Sequence, residues 1–202
     1  MPHAFGSFKR NLAVILEAFS SSFSYPITSL VRWDFPSFGF IKLNTDGAAK
    51  GAPGVAACGG LFRNFQGNWI LGFSTRIGIC NAFVAELWGV WYGLNIAWHR
   101  GWRRLILESD STSVVAVLSK RGGAARESRL LTHIRAILNR DWQVSITHAF
   151  REANSCADYL ANLPIINPSL PDESFFTAPP APLSLLLQAD AAGTYHPRKG
   201  TG

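Results

Sequence analysis

The chain has 202 residues, 48% of them apolar, enough for one domain of ordinary size with a substantial core. No uninterrupted apolar run reaches the length of a membrane span. The run Leu12–Leu16 after Lys9 and Arg10 is cut short by Glu17 with no small-residue cleavage site behind it, so neither membrane insertion nor secretion is expected. The net charge of +6 sits entirely in residues 36–163, where 14 Lys/Arg oppose 8 Asp/Glu, and a domain that basic points to a polyanionic partner.

Residues 1–35 form a poorly patterned leader in which Ser20–Ser24 and Pro26 break any helix begun at Lys9. Residues Gly39–Asp46 predict a first strand, Gly47–Gly54 a turn-rich connection and Val55–Asn64 a second strand. The turn Asn64–Gly67 then leads into a third strand, Asn68–Arg76. A helix is predicted over Asn81–His99, capped by Asn81 and stopped by Gly101. Trp88, Trp91, Trp98 and Trp102 fall on one side of it as packing anchors. Ala82, Glu86, Gly89, Gly93 and Ala97 make a small-residue side that lets the helix approach a sheet and brings Glu86 near the strand ends. A fourth strand, Arg103–Ser109, is followed by a Ser111-capped helix to Ser119, a basic helix over Ser128–Arg140, a fifth strand over Gln143–Phe150 and a helix over Asn154–Leu163. Beyond Leu163 come Pro164, Pro168, Pro171, Pro179, Pro180 and Pro182, so residues 164–202 read as a disordered tail.

The order βββ, α, β, α, α, β, α implies an α/β domain over residues 36–163, a mixed five-stranded sheet flanked by helices. The fourth strand joins the first by a parallel, right-handed crossover. Ligands of such sheets bind outside the carboxyl ends of the strands, and Asp110 lies at one. Asp46, Glu86, Asp110 and Asp158 each stand at the edge of a different element, and together they are half of the acid in residues 36–163. Carboxylates drawn from separate elements serve to hold hard divalent cations. Taken singly, Asp110 also reads as a turn or helix-cap residue and Asp158 as a helix-dipole partner. Cys58, Cys80 and Cys156 fit neither a disulfide framework nor a zinc knuckle. They read as reduced thiols of an intracellular protein, with nucleus or cytoplasm left open.

Several segments, in order, resemble one family. They are Trp33-Asp-Phe-Pro, Ile41-Lys-Leu-Asn-Thr-Asp-Gly-Ala48, Cys58-Gly-Gly-Leu-Phe-Arg-Asn64, Ala85-Glu-Leu87, Glu108-Ser-Asp-Ser111 and Phe150-Arg-Glu-Ala-Asn-Ser-Cys-Ala-Asp-Tyr-Leu-Ala161. From about Trp33 to Leu163 the chain is similar to the type 1 ribonuclease H domain, in the plant form found alone or at the end of retroelement reverse transcriptases. The resemblance implies the ribonuclease H-like sheet. It also implies magnesium-dependent (or manganese-dependent) endonucleolytic hydrolysis of the RNA strand of an RNA–DNA hybrid, leaving a 5′-phosphate and a 3′-hydroxyl. The family's four metal-binding acids match Asp46, Glu86, Asp110 and Asp158.

Hybrid selection needs contacts to 2′-hydroxyls across a wide, shallow minor groove. The backbone at Gly47 and Ala48, the side chains of Ser111 or Thr112, and Asn154 are the candidates. Arg126, Arg129, Arg135 and Arg140 are the candidate phosphate contacts on the basic helical stretch. The family's mobile histidine has no counterpart between Phe150 and Asp158, where only Arg151 and Glu152 could partly replace it. His148 reads as a packing or edge residue of the fifth strand. That gap leaves open a second reading, a weak or inactive nucleic-acid-binding module derived from a retroelement. A nuclease of the same broad fold acting on DNA is a third. A monomer with no membrane partner is expected in each case.

Overall fold

The computed structural model describes residues 29–120 and 128–198. The strands are β1 (Leu30–Val31), β2 (Ile41–Gly51), β3 (Gly54–Arg63), β4 (Trp69–Cys80), β5 (Arg104–Ser109), β6 (Gln143–His148), β7 (Glu173–Phe176) and β8 (His196–Pro197). The helices are α1 (Ala82–His99), α2 (Thr112–Ser119), α3 (Arg129–Leu138), α4 (Ser155–Ile166) and α5 (Ser184–Ala191). Six strands form one mixed sheet in the order β6-β5-β2-β3-β4-β7, and β1 pairs with β8 in a separate ribbon.

The expected meander and crossover are both present. The strands β2, β3 and β4 pair antiparallel, while β2–β5 and β5–β6 are parallel. The predicted loop over Gly47–Gly54 is mostly strand. The β2–β3 ladder continues from Gly47↔Cys58 to Gly51↔Gly54, so the chain reverses within two residues. On one face Leu43, Phe62, Phe73, Leu105 and Leu107 pack beneath Leu87, Val90 and Leu94 of α1 and Leu131, Ile134 and Ile137 of α3. On the other, Leu61 meets Cys156, Ala157 and Leu160 of α4. Helices on both faces bury the central strands β2 and β3 on each side.

Asn81 caps α1 through its side-chain oxygen, which accepts from the Val84 amide at 2.9 Å. The small-residue side of α1 lies deepest. A Cβ added at Gly93 would come within 2.6 Å of Leu43, so helix and sheet meet almost backbone to side chain. The tryptophans occupy the flank and pack on aromatic neighbours, Trp88 on Trp91, Trp98 on Trp142 and Trp102 on Phe62.

The segment after Leu163, expected to be disordered from its prolines, instead carries β7, α5 and β8. With β7, a sixth strand is added to the five expected. Pro164 lies inside α4, and the Leu160 carbonyl that its ring leaves without a helical partner accepts from Ser74 Oγ at 2.7 Å. Arg76 of β4 then donates to the carbonyls of Pro164, Asn167 and Leu170, which fixes the turn leading into β7. In turn β7 pairs with β4 and closes that edge of the sheet. Part of the expected leader is also built in. Trp33 is buried, and the guanidinium of Arg63 lies 3.6 Å from its ring centre.

Candidate active site

The pairing of β2 with β5 places two acids side by side. Thr45 lies opposite Ser109 in the parallel register, so Asp46 and Asp110 are the next residues out along adjacent strands. Glu86 arrives from α1, whose path across β2 is set by glycine. A Cβ on Gly47 would stand 2.2 Å from the Glu86 amide nitrogen, and one on Gly89 2.8 Å from the Asp46 carbonyl oxygen. One carboxylate oxygen from each of Asp46, Glu86 and Asp110 falls within a 4.8 Å cluster. Asp158, in the first turn of α4, lines the same cleft with Gly47, Ala48, Ser111 and Asn162. It stands apart from that cluster and pairs with Arg151 at 3.5 Å.

Three acids this close in a partly buried site resist ionisation together. Burial, then the Asp110 charge, pushes the Asp46 carboxyl up to about 7. Burial and the facing Asp46 carboxyl push Glu86 up to about 10. Asp110 is raised as well, mainly by burial, with Arg151 opposing the rise. Glu86 Oε2 is buried and has no hydrogen-bond partner among the described residues. An orphaned carboxylate oxygen beside two further acids has the chemistry of a hard-cation site, since a divalent ion would supply both the missing partner and the missing positive charge.

The remaining predicted residues divide. Gly47, Ala48 and Ser111 line the acidic cleft, while Thr112 lines an adjoining cavity with Asp110 and His148. The Ser111 hydroxyl also accepts from the Val114 amide as the cap of α2. Asn154 does not face the cleft. It is 1% exposed, donating to the Thr45 carbonyl at 3.0 Å and accepting from Asn44 at 3.2 Å. Its work is to tie the start of α4 to the strand that carries Asp46. Arg135 is also committed internally, donating to the carbonyls of Val117 and Lys120 at 2.9 and 2.7 Å, where it caps the end of α2. Arg140 lies over Trp98, and Arg129 is exposed at the start of α3. Arg126 lies outside the described residues.

Of its two expected roles, packing or edge, His148 takes the edge one, since β6 is an edge strand of the sheet. It ends β6 exposed, with Nε2 3.2 Å from the Asp110 carbonyl oxygen and its ring edge-on to Phe150. Alternation along β6 could not reveal this, because the pattern stops where the strand stops. Arg151, expected from the sequence only to stand in partly for a histidine, holds a more central place. It lines the acidic cleft and the two cavities beside it. Its position just before the last predicted helix was the available signal.

A family model described as reverse transcriptase-like matches residues 44–163. A protein of Arabidopsis thaliana named as a ribonuclease H protein is 41% identical over 174 residues. That alignment covers 86% of this chain but only 28% of the relative, so the chain spans little more than a quarter of that protein. Among solved structures, ribonuclease H1 from Halobacterium salinarum aligns with 28% identity and a TM-score of 0.59, covering 63% of this chain and 98% of that one. LC11 ribonuclease H1, solved with an RNA/DNA hybrid, aligns with 26% identity and a TM-score of 0.53, over 61% of this chain and 94% of that one. The match over more than half of its length, on a sheet of this topology, shows that the chain belongs to the reverse transcriptase-like family, in its ribonuclease H type.

Proposed function

We propose that the protein is an endoribonuclease that cuts the RNA strand of RNA–DNA hybrids, with divalent cations, magnesium in the first place, held by Asp46, Glu86, Asp110 and Asp158. The observation that carries this is the convergence of Asp46, Glu86 and Asp110 within 4.8 Å, with one buried Glu86 oxygen unpartnered. Bound there, such ions would supply a nucleophilic water and neutralise the leaving oxygen of a phosphodiester.

The chain's own residues do the rest. The tight crossing of α1 over Gly47 holds Glu86 against the strand, and the Gly47 amide donates to Asp46 Oδ1 at 2.9 Å. Asp158 lies 37% exposed on the open side of the cleft, where its pairing with Arg151 leaves it able to exchange partners when a cation arrives. His148 stands exposed beside Asp110 and lines the adjoining cavity with Thr112 and Arg151. The backbone at Gly47 and Ala48 and the side chain of Thr112 offer contacts to the sugar edge of a bound strand.

The test is cleavage of a labelled hybrid with and without magnesium, alongside duplex DNA and duplex RNA. Wild-type protein is expected to cut only the RNA of the hybrid. Asp110→Asn is expected to cut more than ~100-fold more slowly while keeping its circular dichroism spectrum. Hybrid left intact by the wild-type protein in magnesium and in manganese would refute the proposal and favour a binding module.

A further inference from the structure

The family match ends at Leu163, yet the chain beyond it returns to the mouth of the cleft. It is pinned twice on the way. Asp190 of α5 pairs with the buried Arg63 at 2.5 Å, and Leu183 is fully buried against α4. Gly193, at a φ of 66°, then turns the chain out of α5 in the left-handed conformation that glycine adopts without strain. From there β8 runs antiparallel to β1, with Val31 opposite His196, and the Arg198 amide donates to the Ser29 carbonyl at 2.9 Å.

These anchors deliver two basic side chains to the cavities beside the acidic cleft. Arg198 lies over the Phe150 ring, 4.6 Å from its centre, and lines the cavity that also holds Asp110, Thr112, His148, Arg151 and Glu152. His196 lines the neighbouring cavity with Arg151, Ser155 and Asp158. Among the described residues no carboxylate forms an ion pair with Arg198. Stacking on Phe150 occupies the face of its guanidinium and leaves the in-plane donors for an oxyanion. It also gives the exposed Phe150 a function, that of holding the guanidinium in place. An arginine held at the end of β8 beside the acidic cleft fits a phosphate of the chain whose neighbouring phosphodiester lies in the cleft.

The geometry points to Arg198, outside the family-matched region, as a phosphate-binding residue of the nucleic-acid groove, delivered there by the C-terminal segment. The inference rests on the reading that this cleft takes nucleic acid. It is tested by fluorescence anisotropy of the full chain with a short labelled RNA–DNA hybrid, in EDTA so that nothing is cut, across a salt series. Arg198→Ala is expected to weaken binding about fivefold at low salt and to make the log–log salt slope shallower by about one. Arg198→Glu is expected to weaken it further, and Arg198→Lys to restore most of the affinity. Each variant's melting temperature checks that the fold is kept. Wild-type affinity and slope in both Arg198→Ala and Arg198→Glu would overturn the inference, as would failure of the wild-type protein to bind the hybrid at all. A wild-type protein that binds through Arg198 but does not cut in magnesium would leave this inference standing and sink the proposed activity. Cutting by a wild-type protein whose Arg198 variants bind normally would do the reverse.

Discussion

The raised acids predict how cation binding depends on pH. With Asp46 at about 7 and Glu86 at about 10, the metal-free site at about pH 8 carries an ionised Asp46 and a protonated Glu86. An ion that takes Glu86 as a ligand must expel that proton, so the logarithm of the affinity should rise by about one per pH unit between about 7 and about 10. Below about pH 7 the Asp46 proton must leave too, and the slope should approach two. Raising the pH from about 7.5 to about 8.5 should therefore tighten magnesium or manganese binding about tenfold. Isothermal titration calorimetry in two buffers of different ionisation enthalpy would count the protons directly, and about one should be released per site at about pH 8. In Glu86→Gln the release should vanish above about pH 7, and the affinity should fall. A wild-type protein that bound manganese with the same affinity across this range, releasing no protons, would refute the description of the acids as a proton-loaded cation site.

The same shifts affect stability. Both folded-state values lie above the ordinary 3.8 and 4.5 of free aspartate and glutamate. The metal-free fold therefore binds more protons than the unfolded chain and loses stability as pH rises through about 7 toward about 10. Its melting temperature should fall between about pH 5 and about pH 9, and saturating magnesium should flatten the curve. A metal-free protein that gained stability on that rise would contradict the assignment.

Asp190→Asn leaves Arg63, only 1% exposed, without its counter-charge, at a cost of about 3 kcal/mol. Urea denaturation should show it, Arg63→Met with Asp190→Leu should recover most of it, and a loss under ~1 kcal/mol would count against a structural pair. Gly47→Ala places a Cβ 2.2 Å from the Glu86 nitrogen, so α1 must lift. Stability should drop by more than ~2 kcal/mol and cation affinity should fall with it, and an unchanged unfolding midpoint would show that helix and strand do not depend on that contact.

The elements and the three clustered acids were legible because their signals are local. Alternation marked β6, a cap residue opened α1 and α2, and the glycine and alanine side of α1 announced the close approach that delivers Glu86. Even the adjacency of Asp46 and Asp110 followed from strand ends and a parallel crossover. What a side chain bonds to across the fold has no such local mark. Asn154 and Arg135 carry the chemistry of substrate contacts, but neighbours distant in sequence occupy their polar atoms with backbone carbonyls.

The tail shows the same division. Composition determined that residues 164–202 are rich in proline, and hence that no long helix or central strand belongs there. Only the tertiary structure decided that they are ordered as far as Arg198. The contacts that hold them are the Arg63–Asp190 pair, the β4–β7 ladder and the β1–β8 ribbon, and each joins residues more than 90 positions apart. The chain alone could name the acids and the elements that carry them. The basic wall beside them exists because folding brings Arg198 back to Phe150, and no local periodicity encodes a contact of that range.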